Sequence, residues 1–486
     1  MSRWRAVLLV GILAAACGGV PARPPLPAAR VSSRGASASG RPAAAAAKFS
    51  IAPVTCEYRV STPPEPPFVA RVVARCTGGD VTGFAATEPQ VVPFLSTASG
   101  AHPRALLPAI QTRPGVAELT YSVDLDGLAR RAPELDTAQS FGRSLLAPAS
   151  TFLLRPDPEQ DDIPITVRFE SPDVESGLRR LGDAYTIASH ELKVATFTTF
   201  GPHEARDLAL GDATVRLVIL DGPRDLSADA LATWVTDAAR GVADFYRHPP
   251  APRTLVVLAP LGARHGVPFG KMLPANAPGV IVLFGEHTAA PELYADWVLV
   301  HELFHVGTPS YLGEGKWYDE GLATYFEPLI RARLGWQSEA QVWREFVRDM
   351  PRGEGALTRR GLAHPEGYSD TYWGGALFCL LADVEARRAS SGARGLEDGV
   401  RAVLEAGGVA SEVWSLAHAT ELTDAALGAP ILAELAAHYR DQGAPLDLDA
   451  LFSQLGVSLG PRGDVVFDEQ APLAFVRHAL VRGAPR

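Results

Sequence analysis

No two cysteines in this chain stand at metal-ligand spacing. There are four in 486 residues, so a cysteine-built zinc module is excluded. Basic patches are missing as well. The formal net charge is −10, the wrong sign for a surface that tracks phosphates, and no nucleic-acid partner is expected. A phosphate loop is absent too: "FGKM" at 269–272 lacks the upstream glycine and the Ser/Thr that such a loop needs. No G-x-S-x-G turn and no internal repeat is present. Charged residues make up 21% of the chain, a composition unlike that of a disordered polymer. With 47% hydrophobic residues, a chain of this length can build large cores, spread over roughly two to four domains.

A membrane-spanning run is also lacking near the N-terminus. "AVLLVGILAAA", Ala6 to Ala16, is too short to cross a hydrocarbon core of ~30 Å as a helix. Arg3 and Arg5 precede it and small residues lead to Cys17. Residues 1–17 therefore read as an export signal. "LAAAC" resembles the lipobox of bacterial lipoproteins, with Leu13 one place early. It implies a lipid on Cys17 as the membrane contact and a cell-envelope location. The alternative is plain secretion, periplasmic or beyond, with Cys17 discarded. Export would permit a Cys56–Cys76 disulfide. Cys379, within "GGALFCLLADVEARR", reads as a buried thiol.

Residues 18–48 are rich in Ala, Pro, Arg and Ser and read as a disordered tether. From 49 to 200, "FVARVVARC", "ITVRFE" and "ELKVATFTTFG" predict short strands between Gly/Pro/Asp breaks, hence a β-rich N-terminal domain. From 201 to 330 the texture is α/β. "TVRLVILD", "RTLVVLAP" and "GVIVLFG" predict buried strands, and "SADALATWVTDAARGVADFYRH" predicts a Ser-capped amphipathic helix. Helices with turn breaks fill 331–440, and 441–486 is a less patterned C-terminal segment. The fold class is multidomain α+β.

The chemistry centres on "HELFH", residues 301–305. On a helix, positions four apart share a face about 6 Å apart along the axis, so His301 and His305 can bind one ion. Glu302 is rotated about 100° away; it can hold a water beside the ion and take its proton. A catalytic zinc usually takes a third protein ligand. Downstream stands "WYDEGLATYFE", where a second helix can begin near Trp317 and fold back. Glu320 would lie near its start. Asp319 and Glu327 read as solvated helix charges.

"HELFH" followed by "WYDEGLATYFE" resembles the gluzincin signature. It is similar to the leukotriene hydrolase-type aminopeptidases and, more closely, to the glycyl aminopeptidase family. The resemblance implies a thermolysin-like α/β zinc peptidase domain at 201–330, completed by the helical region. It implies one zinc per chain on His301, His305 and Glu320, with Glu302 as general base and a peptide or protein as substrate. "YSDTYWGGALFCLLADVEARRAS" resembles the family's Y-x-K-G-A helix. This places Tyr372 where a tyrosine stabilises the oxyanion, with Tyr368 and then His364 as alternatives.

The departures are specific. The family's lysine is Gly374 here. The glutamate that binds a substrate α-amine in the aminopeptidases is matched by Leu273 in "FGKMLPAN", with Glu286 in "FGEH" as a substitute anchor. No PDZ domain is expected after the catalytic region. Aminopeptidase and endopeptidase action both stay open. A rival reading keeps the fold but not the catalysis: an envelope lipoprotein acting as a binding or scaffold module.

Overall fold

The computed structural model describes residues 53–97, 104–159, 163–275, 277–311 and 313–483. The export signal with Cys17 and the tether at 18–48 lie outside the described residues.

Strand Val69–Thr77 shows how the N-terminal region is assembled. Ala70, Val72, Ala74 and Cys76 are buried while Arg71, Val73 and Arg75 are exposed, the period-2 pattern of a sheet with one covered face. It pairs antiparallel with Thr55–Ser61, which in turn runs parallel to Pro164–Phe169. The register sets Cys56 opposite Cys76, and the two form a disulfide. Two short helices, Leu125–Arg131 and Ala149–Phe152, interrupt the strands. "ELKVATFTTFG" yields a strand only at Phe197–Phe200, because Ser189–Val194 turns as a 3-10 helix.

The next sheet positions the site. Its strands are β1 (His203–Leu210), β2 (Ala213–Leu220), β3 (Arg253–Leu261), β4 (Phe269–Leu273) and β5 (Gly279–Gly285), in the order β1-β2-β3-β5-β4. β2, β3 and β5 are parallel, while β1 and β4 are antiparallel edges. The central strands are almost continuously apolar because both faces are covered. Val215, Leu217, Ile219, Val256, Leu258, Val280 and Val282 join the core beneath the helices. Val218, Leu220, Leu255, Val257, Ala259 and Ile281 pack with Phe141, Leu146 and Phe197 of the N-terminal region.

Helix α1 (Ala228–Tyr246) starts at Ser227, whose hydroxyl accepts from Ala230 N–H at 3.2 Å. Tyr246, at its end, donates to Phe304 O at 2.9 Å and so ties α1 to α2 (Val298–Phe304), the helix of "HELFH". Helix α3 (Lys316–Arg333) carries the second motif, and α4 (Gly375–Ala389) follows a π-helical turn at Asp370–Gly374.

α3 and α4 touch backbone to backbone. A Cβ on Gly375 would sit 1.9 Å from Trp317 O, and one on Gly321 would sit 2.4 Å from Gly375 C. The glycines of "EGLA" and "GGA" are thus two sides of one contact. Buried polar groups reinforce it: Tyr325 donates to Asp383 at 2.8 Å, and Asp383 pairs with Arg387 at 3.0 Å. Because the obstructing atoms are backbone, Gly375→Ala is expected to cost roughly 1–3 kcal/mol or more. A urea unfolding curve with wild-type stability would contradict this crossing.

Candidate metal centre

α2 is held at its start by Asp296, whose carboxylate accepts from Val298 N–H at 2.7 Å. Val298, Leu299, Val300, Leu303 and Phe304 point into the core. The remaining face carries His301 and His305, both buried. α3 brings Glu320 against them.

Three donor atoms converge. His301 Nε2 lies 3.3 Å from Glu320 Oε2 and 3.3 Å from His305 Nε2, and the third edge, His305 Nε2 to Glu320 Oε2, is 3.5 Å. An ion bound tetrahedrally at ~2.0–2.1 Å by N and O ligands has ligand–ligand edges of about 3.3–3.4 Å. The triangle therefore fits zinc in size and in donor type. Burial alone would raise the Glu320 carboxyl, but hydrogen bonds and charge from His301 and His305 outweigh it and hold it well below the usual carboxylate range.

The two imidazoles are oriented by different means. His305 Nδ1–H donates to Asp319 Oδ1 at 3.1 Å, and the Thr308 hydroxyl donates to the same oxygen at 3.3 Å. This leaves the Nε2 lone pair of His305 pointing inward, as carboxylate–histidine–metal arrangements require. His301 Nδ1 is buried without a hydrogen-bond partner. Its ring is positioned by Trp297, edge-on at 5.1 Å, and by Tyr372, stacked at 5.9 Å and 16°.

Two expectations are corrected here. Asp319 is not a solvated helix charge but the partner of His305. Glu327 is buried and paired with Arg331, one helical turn away. The sequence separation of 14 residues between His305 and Asp319 carries no signal of their contact.

Glu302 faces β4. A Cβ on Gly270 would meet Val298 Cγ1 at 2.4 Å and Glu302 Cγ at 2.9 Å, so only glycine lets the edge strand pass this close to α2. Burial raises the Glu302 carboxyl above the ordinary glutamate value, outweighing the neighbouring His301 and His305, which favour the carboxylate. It stands beside the donor triangle without joining it.

Tyr372 stacks on Tyr368 at 4.0 Å. His364 is exposed. Leu273 faces away from α2, in the core with Phe141 and Phe197. Glu286 is bound to its own loop, accepting from Ala263 N–H at 2.8 Å. It groups with Asp225 and His287 near the surface, where His287 Nδ1 and Asp225 Oδ2 form an ion pair at 3.0 Å. Gly374 has a packing reason: its Cβ would lie 3.1 Å from Ala356 Cβ and 3.3 Å from Leu362 Cδ2. A lysine there would have to displace both.

No protein-family model matches the sequence, and no curated protein does. Among solved structures, the chain is similar to an aminopeptidase N family protein from Idiomarina loihiensis. The identity is 14% and the TM-score 0.63, over 84% of this chain and 79% of that one. It is also similar to an M1 zinc metallopeptidase from Deinococcus radiodurans, at 16% identity and a TM-score of 0.48, over 82% and 94% of the two chains. The first likeness concerns the fold, an α+β arrangement with an N-terminal β region and C-terminal helices. The second is too distant to carry weight.

Asp319→Ala is expected to weaken zinc binding by about 10- to 100-fold, as removal of an outer-shell carboxylate does, with Asp319→Asn retaining most of the affinity. Competition against a chelator of known affinity checks this; unchanged affinity in the alanine variant would show that Asp319 does not position His305.

Proposed function

We propose that this protein is a zinc-dependent metallopeptidase that is exported to the bacterial cell envelope and tethered there by a lipid on Cys17. The observation that carries the reading is the pairing of a zinc-sized donor triangle with Glu302. A structural zinc is satisfied by its ligands alone and has no use for a carboxylate held beside them. The fold likeness to an aminopeptidase N family protein supports the same reading.

His301 Nε2, His305 Nε2 and Glu320 Oε2 would hold the ion. Bound there, zinc supplies Lewis acidity, polarising a carbonyl and bringing the pKa of a water from 15.7 to about 7. The remaining steps belong to the chain. Glu302, packed against Gly270 of β4, accepts the proton of the attacking water and returns it to the leaving amine. Tyr372, stacked over His301, donates its hydroxyl to the carbonyl oxygen as negative charge develops, a contact worth roughly 3 kcal/mol. β4 is a sheet edge beside the triangle, where an extended peptide can add as a further strand.

The rival reading, a non-catalytic binding or scaffold module, rested on Gly374 and Leu273. Both are packing positions in this structure, so neither is a sign of lost catalysis. Leu273 does bear on specificity, since it offers no carboxylate to a substrate α-amine. We therefore assign internal cleavage rather than an obligate amino-terminal mode.

Two results are expected. Glu302→Gln keeps about one zinc per chain by elemental analysis, since the residue is no ligand, and loses peptide hydrolysis by at least about 100-fold; retained turnover would sink the mechanism. Peptides with acetylated and free amino termini are cleaved at similar rates, and strict dependence on a free amine would refute the assignment of internal cleavage.

A further inference from the structure

Tyr372 belongs to the π-helical turn Asp370–Gly374, and a second such turn precedes it at Ala356–Arg360. The π-helix is rare, and its single turns recur at functional sites. Arg360, the last residue of the first turn, meets Asp370, the first residue of the second. Its guanidinium donates to the Asp370 carboxylate through Nε at 3.1 Å and through Nη2 at 2.5 Å. Glu366 N–H donates to the same carboxylate at 2.7 Å. Loop 361–369 is thereby closed at its base. Asp370 is buried and Arg360 half-buried.

The far end of the turn is held differently, by close approach of backbone. A Cβ on Gly353 would lie 2.1 Å from Gly374 N and 2.3 Å from Trp373 C, and Gly375 abuts Trp317 O. Tyr372 sits between the two anchorages. Its ring stacks on His301 at 5.9 Å and on Tyr368 at 4.0 Å. Stacked rings tolerate a range of offsets, so stacking alone does not set where the hydroxyl falls. The backbone that carries the ring does, and its start is tied down through Asp370.

We infer that Asp370, clamped by Arg360, is a positioning residue that aims the Tyr372 hydroxyl at the developing oxyanion. It acts through the π-helical turn and through Tyr372. A carboxylate taken from water is tolerated only where donors meet it, so Asp370 is confined to the point where Arg360 and Glu366 N–H converge. The planar fork of arginine fixes direction as well as distance, which a lysine ammonium would not. This inference rests on the assignment of Tyr372 as the oxyanion donor.

The test is a double-mutant cycle on the full chain loaded with zinc, with kcat and KM read on one peptide substrate. Asp370→Ala is expected to lower kcat by about 10- to 100-fold, the effect of misplacing a reacting group by an ångström or less. Zinc content stays at that of the wild type, and KM changes less than about threefold, because the lost contact is made in the transition state. Tyr372→Phe is expected to lower kcat by about 100-fold or more. Adding Asp370→Ala to Tyr372→Phe then costs less than about a further twofold, since the hydroxyl to be positioned is gone. Arg360→Lys retains part of the activity that Arg360→Ala loses. If Asp370→Ala does not fold, Asp370→Asn runs the same cycle, keeping the shape and removing the charge. A merely structural Asp370 lowers kcat by the same factor in both backgrounds, and that additivity overturns the inference while leaving the role of Tyr372 intact. Wild-type turnover by Tyr372→Phe refutes the oxyanion assignment and the inference with it. Hydrogen exchange judges the clamp apart from catalysis: segment 366–374 exchanges faster in Asp370→Ala while α2 is unchanged, and equal exchange in 366–374 overturns the inference whether or not peptides are cleaved.

Discussion

Two imidazole nitrogens and a carboxylate oxygen, drawn from two separate helices, face one another at 3.3–3.5 Å in a largely buried site. Such donors repel unless a proton or a cation sits among them, so the helices that carry them must be held together from outside. That constraint organises the C-terminal half. α2 is pinned by Asp296 at its start and by Tyr246 at its end. α3 is pressed into place by α4, at a crossing so close that Gly321 and Gly375 leave no space for a methyl group. The same crossing delivers Tyr372, just before α4, to the face of His301. The two sequence motifs are thus one mechanical assembly.

The edge strand β4 shows the same economy of space. Gly270 allows it to lie against α2, close to Val298 and Glu302. The alternating side chains of β4 face the other way, where Leu273 joins Phe141 and Phe197 and Lys271 pairs with Asp136. The N-terminal β region therefore supports the strand that lies against Glu302. Leu273 and Gly374, which look like missing catalytic parts when set against a family pattern, are in this fold the residues that permit close packing.

His301 and His305 differ in a way that ligand identity alone would not suggest. One is oriented by a charged hydrogen bond to Asp319, the other by ring contacts with Trp297 and Tyr372. Aromatic packing fixes a ring plane but leaves the Nδ1 of His301 without a partner.

By itself the sequence determined whatever depends on short-range periodicity. Helical spacing placed His301 and His305 on one face, with Glu302 turned aside. Continuous apolar runs identified β2, β3 and β5, and Ser227 marked the start of α1. Glu320 and Tyr372 were legible through motif resemblance, since nothing local says where a distant helix points. Tertiary structure alone decided the partners of Asp319 and Glu327, because a carboxylate on a helix reads the same whether it meets water, His305 or Arg331. It also decided β4, whose five residues, with a glycine and a lysine among them, are too few and too mixed to announce a strand. The exposure of Trp297 was likewise hidden within an apolar run, and only the packing of α2 against its neighbours turned that one ring outward.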